Sequence, residues 1–198
     1  MKTLQTLSLI AASMMASTAF ASDFSFDRPG AGIGTGITPV GQLAWEQGLP
    51  SVSYQQENVA GKHDKTLTLN GDMLLRTGLA KGLELQLGWQ GPVWQQNKYA
   101  GNKAETNGLG DVSIGLKKAI DLDDDKLSMA LLAEAIIATG NDEFTAHDDI
   151  YSLTSAVSYE FSDLINTSIT MRYEAQDSNW AVTAVPTLGY KIAGKLSG

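Results

Sequence analysis

The sequence predicts an all-β protein, an antiparallel up-and-down β-barrel of the outer-membrane type with about eight strands. Three observations predict this fold: period-two alternation of apolar and polar residues, an N-terminal export signal, and connections of alternating length. The mean hydropathy of −0.09 excludes a helical membrane bundle. It permits a barrel, because only every second residue of a barrel strand meets lipid.

The N-terminus has the three parts of a secretory signal peptide. Lys2 gives the positive start, 7–16 is a short apolar run, and Ala19-Phe20-Ala21 is a small-x-small cleavage pattern. The run is too short to cross about 30 Å of hydrocarbon as a helix. We therefore divide the chain into a signal peptide at 1–21, an irregular segment at 22–41 and a transmembrane β-barrel domain at 42–198. The expected location is the cell outer membrane, reached through the outer-membrane assembly machinery.

The strongest pattern is a β-hairpin over 67–89, in which the alternation continues on both sides of a turn at 80–82. Its polar side includes Asp72, Arg76 and Glu84, while its other side is Leu, Met and Trp. We expect the apolar side to face lipid, so Leu85→Arg should hinder insertion and Gln86→Arg should be mild.

The same alternation predicts six further strands, at about 42–54, 109–118, 126–139, 150–161, 165–175 and 179–191. A helix is the alternative for 126–139, which is rich in Ala, Leu, Met and Glu. About ten residues between the first two strands, and nearly twenty between the third and fourth, are expected to be external loops. A ninth strand begins at Leu196, so we expect an open or incomplete barrel; direct pairing of the first strand with the eighth would show a closed one.

Two sets of residues follow from the facing assignment. Aromatic residues near the strand ends are expected to form membrane girdles: Trp45, Trp89, Tyr151, Tyr159, Phe161, Trp180 and Tyr190. Charged residues of the polar parity are expected to line the lumen: Glu46, Asp72, Arg76, Glu84, Asp111, Lys117, Glu134, Glu160, Arg172 and Glu174. These charges either set the selectivity of a small-molecule passage or hold the interior together as ion pairs. Glu46, Arg76 and Glu84 should meet, because they lie on consecutive strands.

The sequence gives little support for an enzyme, so we predict no catalytic residues, cofactor or metal. His63 and His147 fall in predicted external loops, and the run at 121–126 lacks the glycine of a calcium-binding loop. No motif places a serine beside a histidine base. The absence of cysteine excludes disulfides, and the net charge of −8 argues against nucleic-acid binding.

Several short motifs, in order, resemble the outer-membrane transporter family named for the phenol meta-cleavage degradation pathway. They include Asp27-Arg28-Pro29, Arg76-x-Gly78-Leu79, Gly108-Leu109-Gly110-Asp111 and Thr139-Gly140-Asn141. Ala138 stands where the family usually has proline. The resemblance implies an outer-membrane barrel with a role in uptake of aromatic compounds.

We therefore predict a channel or transporter for small, apolar or aromatic molecules, with the lipid bilayer and a small-molecule solute as partners. Two alternatives stay open. One is a structural outer-membrane barrel with a filled interior and no transport. The other is a secreted soluble β-sandwich or ligand-binding barrel, which would turn its apolar face inward.

Overall fold

The structure, a computed structural model, describes residue 27 and residues 32–48, 50–59, 61–193 and 196–197. The expected signal peptide and Leu49 of the first predicted strand lie outside the described residues. Within these ranges, no helix is long and apolar enough to cross a membrane.

The described chain is all-β, which confirms the predicted class. Its strands are β1 Leu43–Gln47, β2 Ser51–Val59, β3 Lys62–Asn70, β4 Met73–Ala80, β5 Leu83–Trp89, β6 Pro92–Tyr99, β7 Asn102–Leu109, β8 Val112–Ile120, β9 Leu127–Ile137, β10 Ile150–Ser162, β11 Ile165–Gln176, β12 Asn179–Ala193 and β13 Leu196–Ser197. The segment for which a helix was the alternative is the strand β9.

The strands form two antiparallel sheets. The main sheet has nine strands in the order β1-β4-β5-β8-β9-β10-β11-β12-β13, and the distal sheet has four in the order β2-β3-β6-β7. The first eight strands form four pairs, β1/β2, β3/β4, β5/β6 and β7/β8, in which the chain leaves one sheet and enters the other after two or three residues. Each strand of the distal sheet therefore continues one strand of the main sheet beyond a bend.

Glycine makes these bends possible at the points where neighbouring backbones come close. Gly91 has a φ of +76°, and a Cβ there would overlap the Gly71 carbonyl oxygen. Hydrogen bonds still cross the bends, from Gly71 N to Pro92 O at 3.2 Å and from Gly110 N to Gly91 O at 2.9 Å. The two sheets consequently share a hydrogen-bonded seam.

The distal sheet corrects the sequence prediction of two long external loops. Both segments are mostly strand and turn tightly, the second through Ala100 and Gly101, which have φ values of +53° and +87°. His63, expected in a loop, lies in β3. Polar residues on both faces hide these strands from a search for alternation, because the alternation depends on one face being buried or in lipid.

The register of the main sheet keeps one apolar and one polar face across its strands. Leu75 pairs with Leu87, Leu87 with Ile114, and Ile114 with Ala135. The apolar side chains are largely exposed and form what we call the outer face; the opposite side is the inner face. The predicted separation of apolar and polar residues onto opposite faces is therefore confirmed for these strands.

The main sheet is open along its edges. β1 pairs with β4, while β12 pairs with β11 and β13. Within the described residues no pairing joins β1 to β12 or β13. The expectation of an open sheet is confirmed.

Candidate functional site

Ion pairs on the inner face of the main sheet surround Arg76, which β4 places at the centre. Its side chain is 0% exposed. Its Nε and Nη2 donate to the two oxygens of Glu84 at 2.8 and 3.0 Å, and its Nη1 donates to Glu46 Oε1 at 2.7 Å. The structure thus brings together the three residues that the sequence predicted would meet. A guanidinium bonded to two carboxylates has a fixed orientation as well as a compensated charge.

Asp27, which precedes β1 in the chain, also belongs to this group. Its Oδ2 lies 3.0 Å from Lys117 Nζ and 3.5 Å from Arg76 Nη1. Its own backbone N–H donates to Glu46 Oε2 at 3.1 Å. We call Asp27, Glu46, Arg76, Glu84 and Lys117 the interior charge cluster.

The cluster is nearly balanced in charge. Two cations face three carboxylates, so the net formal charge is 2 − 3 = −1. Gln86 Nε2 donates a further hydrogen bond to Glu84 Oε1 at 2.7 Å. Buried charges are tolerated when each is paired and hydrogen-bonded in this way.

Residues 32–40, which we call the N-terminal segment, lie against the inner face. Both the backbone N–H and the hydroxyl of Thr38 donate to Glu84 Oε2 at 2.6 Å. The Gly36 carbonyl accepts from Arg76, and the Ile33 carbonyl accepts from Thr170 Oγ1 at 3.3 Å. The segment therefore crosses the inner face from β4 and β5 to β11.

A second group, around Arg172 of β11, is held much more loosely. Its Nη2 lies 3.3 Å from both Glu134 and Glu174, and its side chain is 30% exposed. Among the described residues, Arg172 Nε and the buried hydroxyls of Ser152 and Thr154 have no hydrogen-bond partner.

Two cavities flank this second group. One of about 350 Å³ is lined by Thr154, Thr183 and Arg172. The other, of about 330 Å³, is lined by Asp72, Asp111, Ser113 and Arg172. The inner face is therefore filled around Arg76 and hollow around Arg172, where one cavity borders β10 to β12 and the other borders the bend-side ends of β5, β8 and β9.

Asp111 has a different role from the other predicted lumen residues. It sits in the bend between β7 and β8 and accepts hydrogen bonds from the backbone N–H groups of Thr139, Gly140 and Ala146 and from the Thr145 hydroxyl, all at 2.8 to 2.9 Å. Burial alone would raise the pKa of Asp111, but these hydrogen bonds outweigh it, so the pKa is lowered. Asp111 thereby fixes the loop at 138–149 over the inner face.

The remaining two predicted lumen residues lie toward the ends of the strands. Asp72 lies in the bend between β3 and β4, where its backbone carbonyl accepts from Gly48 N at 3.2 Å. Glu160 is exposed near the end of β10. Gln86, whose replacement by Arg is expected to be mild, lies buried on the inner face, where its Nε2 donates to Glu84 Oε1; the effect of that replacement stays a prediction.

Sequence reasoning missed Asp27 and Thr38 as members of the site. Both precede the first strand, in a stretch without alternation, so no periodic signal marks which way they face. Asp27 belongs to the Asp27-Arg28-Pro29 motif, but that motif does not indicate which residue Asp27 contacts.

The predicted aromatic residues occupy two levels of the outer face. Trp45, Trp89, Tyr151 and Trp180 lie toward the distal-sheet end, and Tyr159, Phe161 and Tyr190 lie toward the other end. Trp180 is 71% exposed and stacks on Tyr173, with ring centroids 6.4 Å apart. Eight residues separate Tyr151 from Tyr159, which corresponds to about 26 Å along a strand.

Comparison with known proteins assigns the chain to a family. A family model described as "Putative MetA-pathway of phenol degradation" matches residues 26–197. No curated protein and no solved structure matches the chain significantly.

Proposed function

The chain belongs to the family described by that phenol-degradation model, and from this membership we propose that it is a non-enzymatic outer-membrane protein that admits small molecules. The single observation that carries the proposal is the opposite chemistry of the two faces of the main sheet. The outer face is apolar and exposed, with aromatic residues at both ends, and the inner face carries the charges.

An exposed apolar face of this size is favourable in lipid and costly in water. Soluble proteins rarely leave large contiguous apolar patches exposed. A membrane-spanning sheet needs an apolar band about 25 Å tall bordered by aromatic residues, which matches the spacing of Tyr151 and Tyr159. The alternative of a soluble sandwich or ligand-binding barrel requires the apolar face to be covered, whereas here it is exposed.

The solute path in this proposal runs along the hollow half of the inner face. The two cavities beside Arg172 provide polar walls, with hydroxyl groups from Thr154 and Thr183 and charges from Glu134 and Glu174. The family description favours phenol-type aromatic compounds as the solute. A phenol could use both features of these walls, since its hydroxyl bonds to polar side chains and its ring contacts Ile33 and Val185.

A filled barrel without transport is the second candidate, and one observation favours it. The interior charge cluster and the N-terminal segment occupy the inner face beside β4 and β5, where Arg76, Lys117 and Glu84 are fully buried. If the same packing extended across the whole inner face, solute could not pass.

Neighbouring residues of β12 distinguish the two candidates. Thr183 lines the inner cavity, and Val182 pairs with Tyr173 on the outer face. In protein folded into lipid vesicles, Thr183→Trp should slow the entry of phenol, while Val182→Trp should leave entry unchanged. The filled barrel would be favoured if both variants admitted phenol as fast as the unaltered protein does. It would also be favoured if phenol entered vesicles with the unaltered protein no faster than vesicles without protein.

A further inference from the structure

The polar residues around Arg172 form a row across three neighbouring strands of the inner face. The register places Ser152 of β10 between Glu134 of β9 and Glu174 of β11. Arg172 precedes Glu174 by two residues on β11, so both side chains lie on the same face of the sheet. We call Glu134, Ser152, Thr154, Arg172 and Glu174 the Arg172 group.

The Arg172 group carries an excess of negative charge. Arg172 Nη2 lies 3.3 Å from a carboxylate oxygen of Glu134 and 3.3 Å from one of Glu174. One cation is therefore shared by two anions, and the net formal charge of the group is 1 − 2 = −1. Asp72 and Asp111 add acidic residues to the wall of the neighbouring cavity.

Thr154 gives this group a buried hydroxyl that lines a cavity. The residue is only 2% exposed, and it borders the cavity of about 350 Å³. Among the described residues, Thr154 Oγ1 has no hydrogen-bond partner, and neither do Ser152 Oγ and Arg172 Nε. A buried polar atom without a partner is unfavourable, so a bound polar molecule that reaches it is stabilised. Because the Arg172 N–H can only donate, that molecule has to offer an oxygen that accepts.

The same cavity also has an apolar wall. Ile33 of the N-terminal segment and Val185 of β12 line it together with Thr154 and Thr183. Pockets of this kind, which begin at about 300 Å³, orient a small ligand through a few polar groups while the rest of its surface makes apolar contacts. A single aromatic ring that carries a hydroxyl has both features.

Charge restricts which of these molecules the group accepts. The oxygen of a carboxylate or a phenolate would also accept from Arg172, but two carboxylates already compensate that cation. An anion would therefore bring a third negative charge beside a group whose net charge is −1. Like charges repel more strongly beside a protein than in bulk water, because the effective dielectric constant is lower there. A neutral hydroxyl meets no such repulsion, and a cation is attracted.

We propose that the Arg172 group is a binding site for hydroxyl-bearing aromatic molecules in uncharged or cationic form, and that it excludes anionic ones. The inference rests on the proposed function and adds a charge selectivity to it. A neutral hydroxyl can accept from Arg172 and donate to a carboxylate of the group, while the ring contacts Ile33 and Val185.

The test compares three phenols that differ in the charge of their para substituent. At neutral pH, para-hydroxybenzenesulfonate carries an anionic substituent, para-cresol a neutral one and para-(aminomethyl)phenol a cationic one. Each competes with labelled phenol for entry into vesicles that contain the full chain, and entry into vesicles without protein is subtracted. The measured quantity is the concentration of competitor that halves the remaining entry.

Three variants change the charge at the site or away from it. Glu134→Gln with Glu174→Gln changes the net charge of the group from −1 to +1. Arg172→Gln changes it in the opposite direction, to −2. The matched control is Asp123→Asn with Asp125→Asn, which removes the same two negative charges from exposed positions between β8 and β9.

In the unaltered protein and the control, we expect the sulfonate to need about tenfold more than the other two phenols to halve phenol entry. In the double glutamine variant of the group, the sulfonate should compete at least as well as para-cresol. In Arg172→Gln the gap between the sulfonate and the ammonium should widen, which tests the proposal even if the double variant does not fold.

Equal competition by the sulfonate and the ammonium in the unaltered protein would overturn the charge selectivity alone. So would the absence of competition by all three phenols while labelled phenol still enters, or an equal change of selectivity in the control. Failure of phenol to enter vesicles with the unaltered protein faster than vesicles without protein would overturn the proposed function as well.

Discussion

Arg76 and Arg172 lie on the same inner face of the same sheet, yet their surroundings differ. Arg76 is completely buried, bonded to two carboxylates at 2.7 to 3.0 Å and covered by the N-terminal segment. Arg172 is 30% exposed, lies 3.3 Å from its two carboxylates, and borders two cavities. One part of the inner face therefore joins the strands through buried ion pairs, whereas the other part contains cavities.

The largest expected effect is the loss of the buried arginine. Arg76→Ala would leave three carboxylates near one remaining cation, so the free energy of unfolding in lipid should fall by about 3–5 kcal/mol. Arg172→Ala, the matched control on the hollow half, should cost about 1 kcal/mol or less, because its partners are partly exposed. Urea titration of the vesicle-folded protein measures both. Similar costs at the two sites would remove the distinction between the halves.

The contacts of Arg76 with its two glutamate partners can be tested one at a time. Glu46→Gln and Glu84→Gln should each lower the free energy of unfolding less than Arg76→Ala does. In each variant Arg76 keeps the other of its two glutamate partners. A double-mutant cycle between Arg76 and Glu84 should give an interaction free energy of about 0.5–3 kcal/mol. An interaction of zero would mean that the bidentate contact does not contribute to stability.

Insertion should depend on which face receives a charge. Ile114 and Ser113 are neighbours on β8, the first on the outer face and the second beside the cavity with Asp72 and Asp111. Ile114→Arg should make folding into lipid less favourable by about 2–4 kcal/mol if the residue lies near the midplane. Ser113→Arg should have a much smaller effect. If the two variants fold into vesicles equally, the outer face is not in hydrocarbon.

One added methyl group, at Gly78, should disturb the packing of the N-terminal segment against β4. A Cβ at Gly78 would press on the Thr38 and Pro39 carbonyl oxygens, while a Cβ at Gly71 would meet open space. Gly78→Ala should destabilise the protein by about 1–3 kcal/mol, as overpacking does, and Gly71→Ala should be close to neutral. Thermal unfolding of both variants checks this. A harmless Gly78→Ala would show that the segment is not packed against β4.

The smallest expected effect is a pH response of the loop at 138–149. The folded pKa of Asp111 lies below its unfolded value, so its contribution to stability is present above the unfolded pKa and is lost as pH falls through the folded one. The Gly140 and Ala146 amides should therefore lose protection from hydrogen exchange at acid pH, after correction for the pH dependence of intrinsic exchange. Asp111→Asn should remove this acid-dependent change, and an unchanged response in that variant would assign it to another group.

The sequence predicted the faces of the strands better than their extent. Period-two alternation was enough to place Leu85 on the outer face and Glu84 on the inner face, because alternate residues of a strand point to opposite faces of the sheet. The same signal fails in the distal sheet, beyond the bends at Gly71 and Gly91, because polar residues there occur on both faces of the strands.

Site partners without a periodic context were also beyond sequence reasoning. The meeting of Arg76 with Glu46 and Glu84 follows from adjacent strands in register. The contact between Asp27 and Lys117 joins residues 90 positions apart, one of them in an irregular segment. Such a contact depends on the path of the N-terminal segment across the inner face, which no local pattern specifies.

Single cysteines along β10 can show which face of the main sheet meets lipid, since the chain has no cysteine of its own. Cysteines introduced one at a time from 151 to 158 would be labelled in vesicles with a water-soluble thiol reagent, and their attached fluorophores exposed to a quencher dissolved in lipid. We expect the response to alternate along the strand. Positions such as Leu153 and Val157 should resist the water-soluble reagent and be quenched from lipid, while Ser152 and Thr154 should not be quenched from lipid. Labelling and quenching without a period of two, or with the parity reversed, would contradict this expectation.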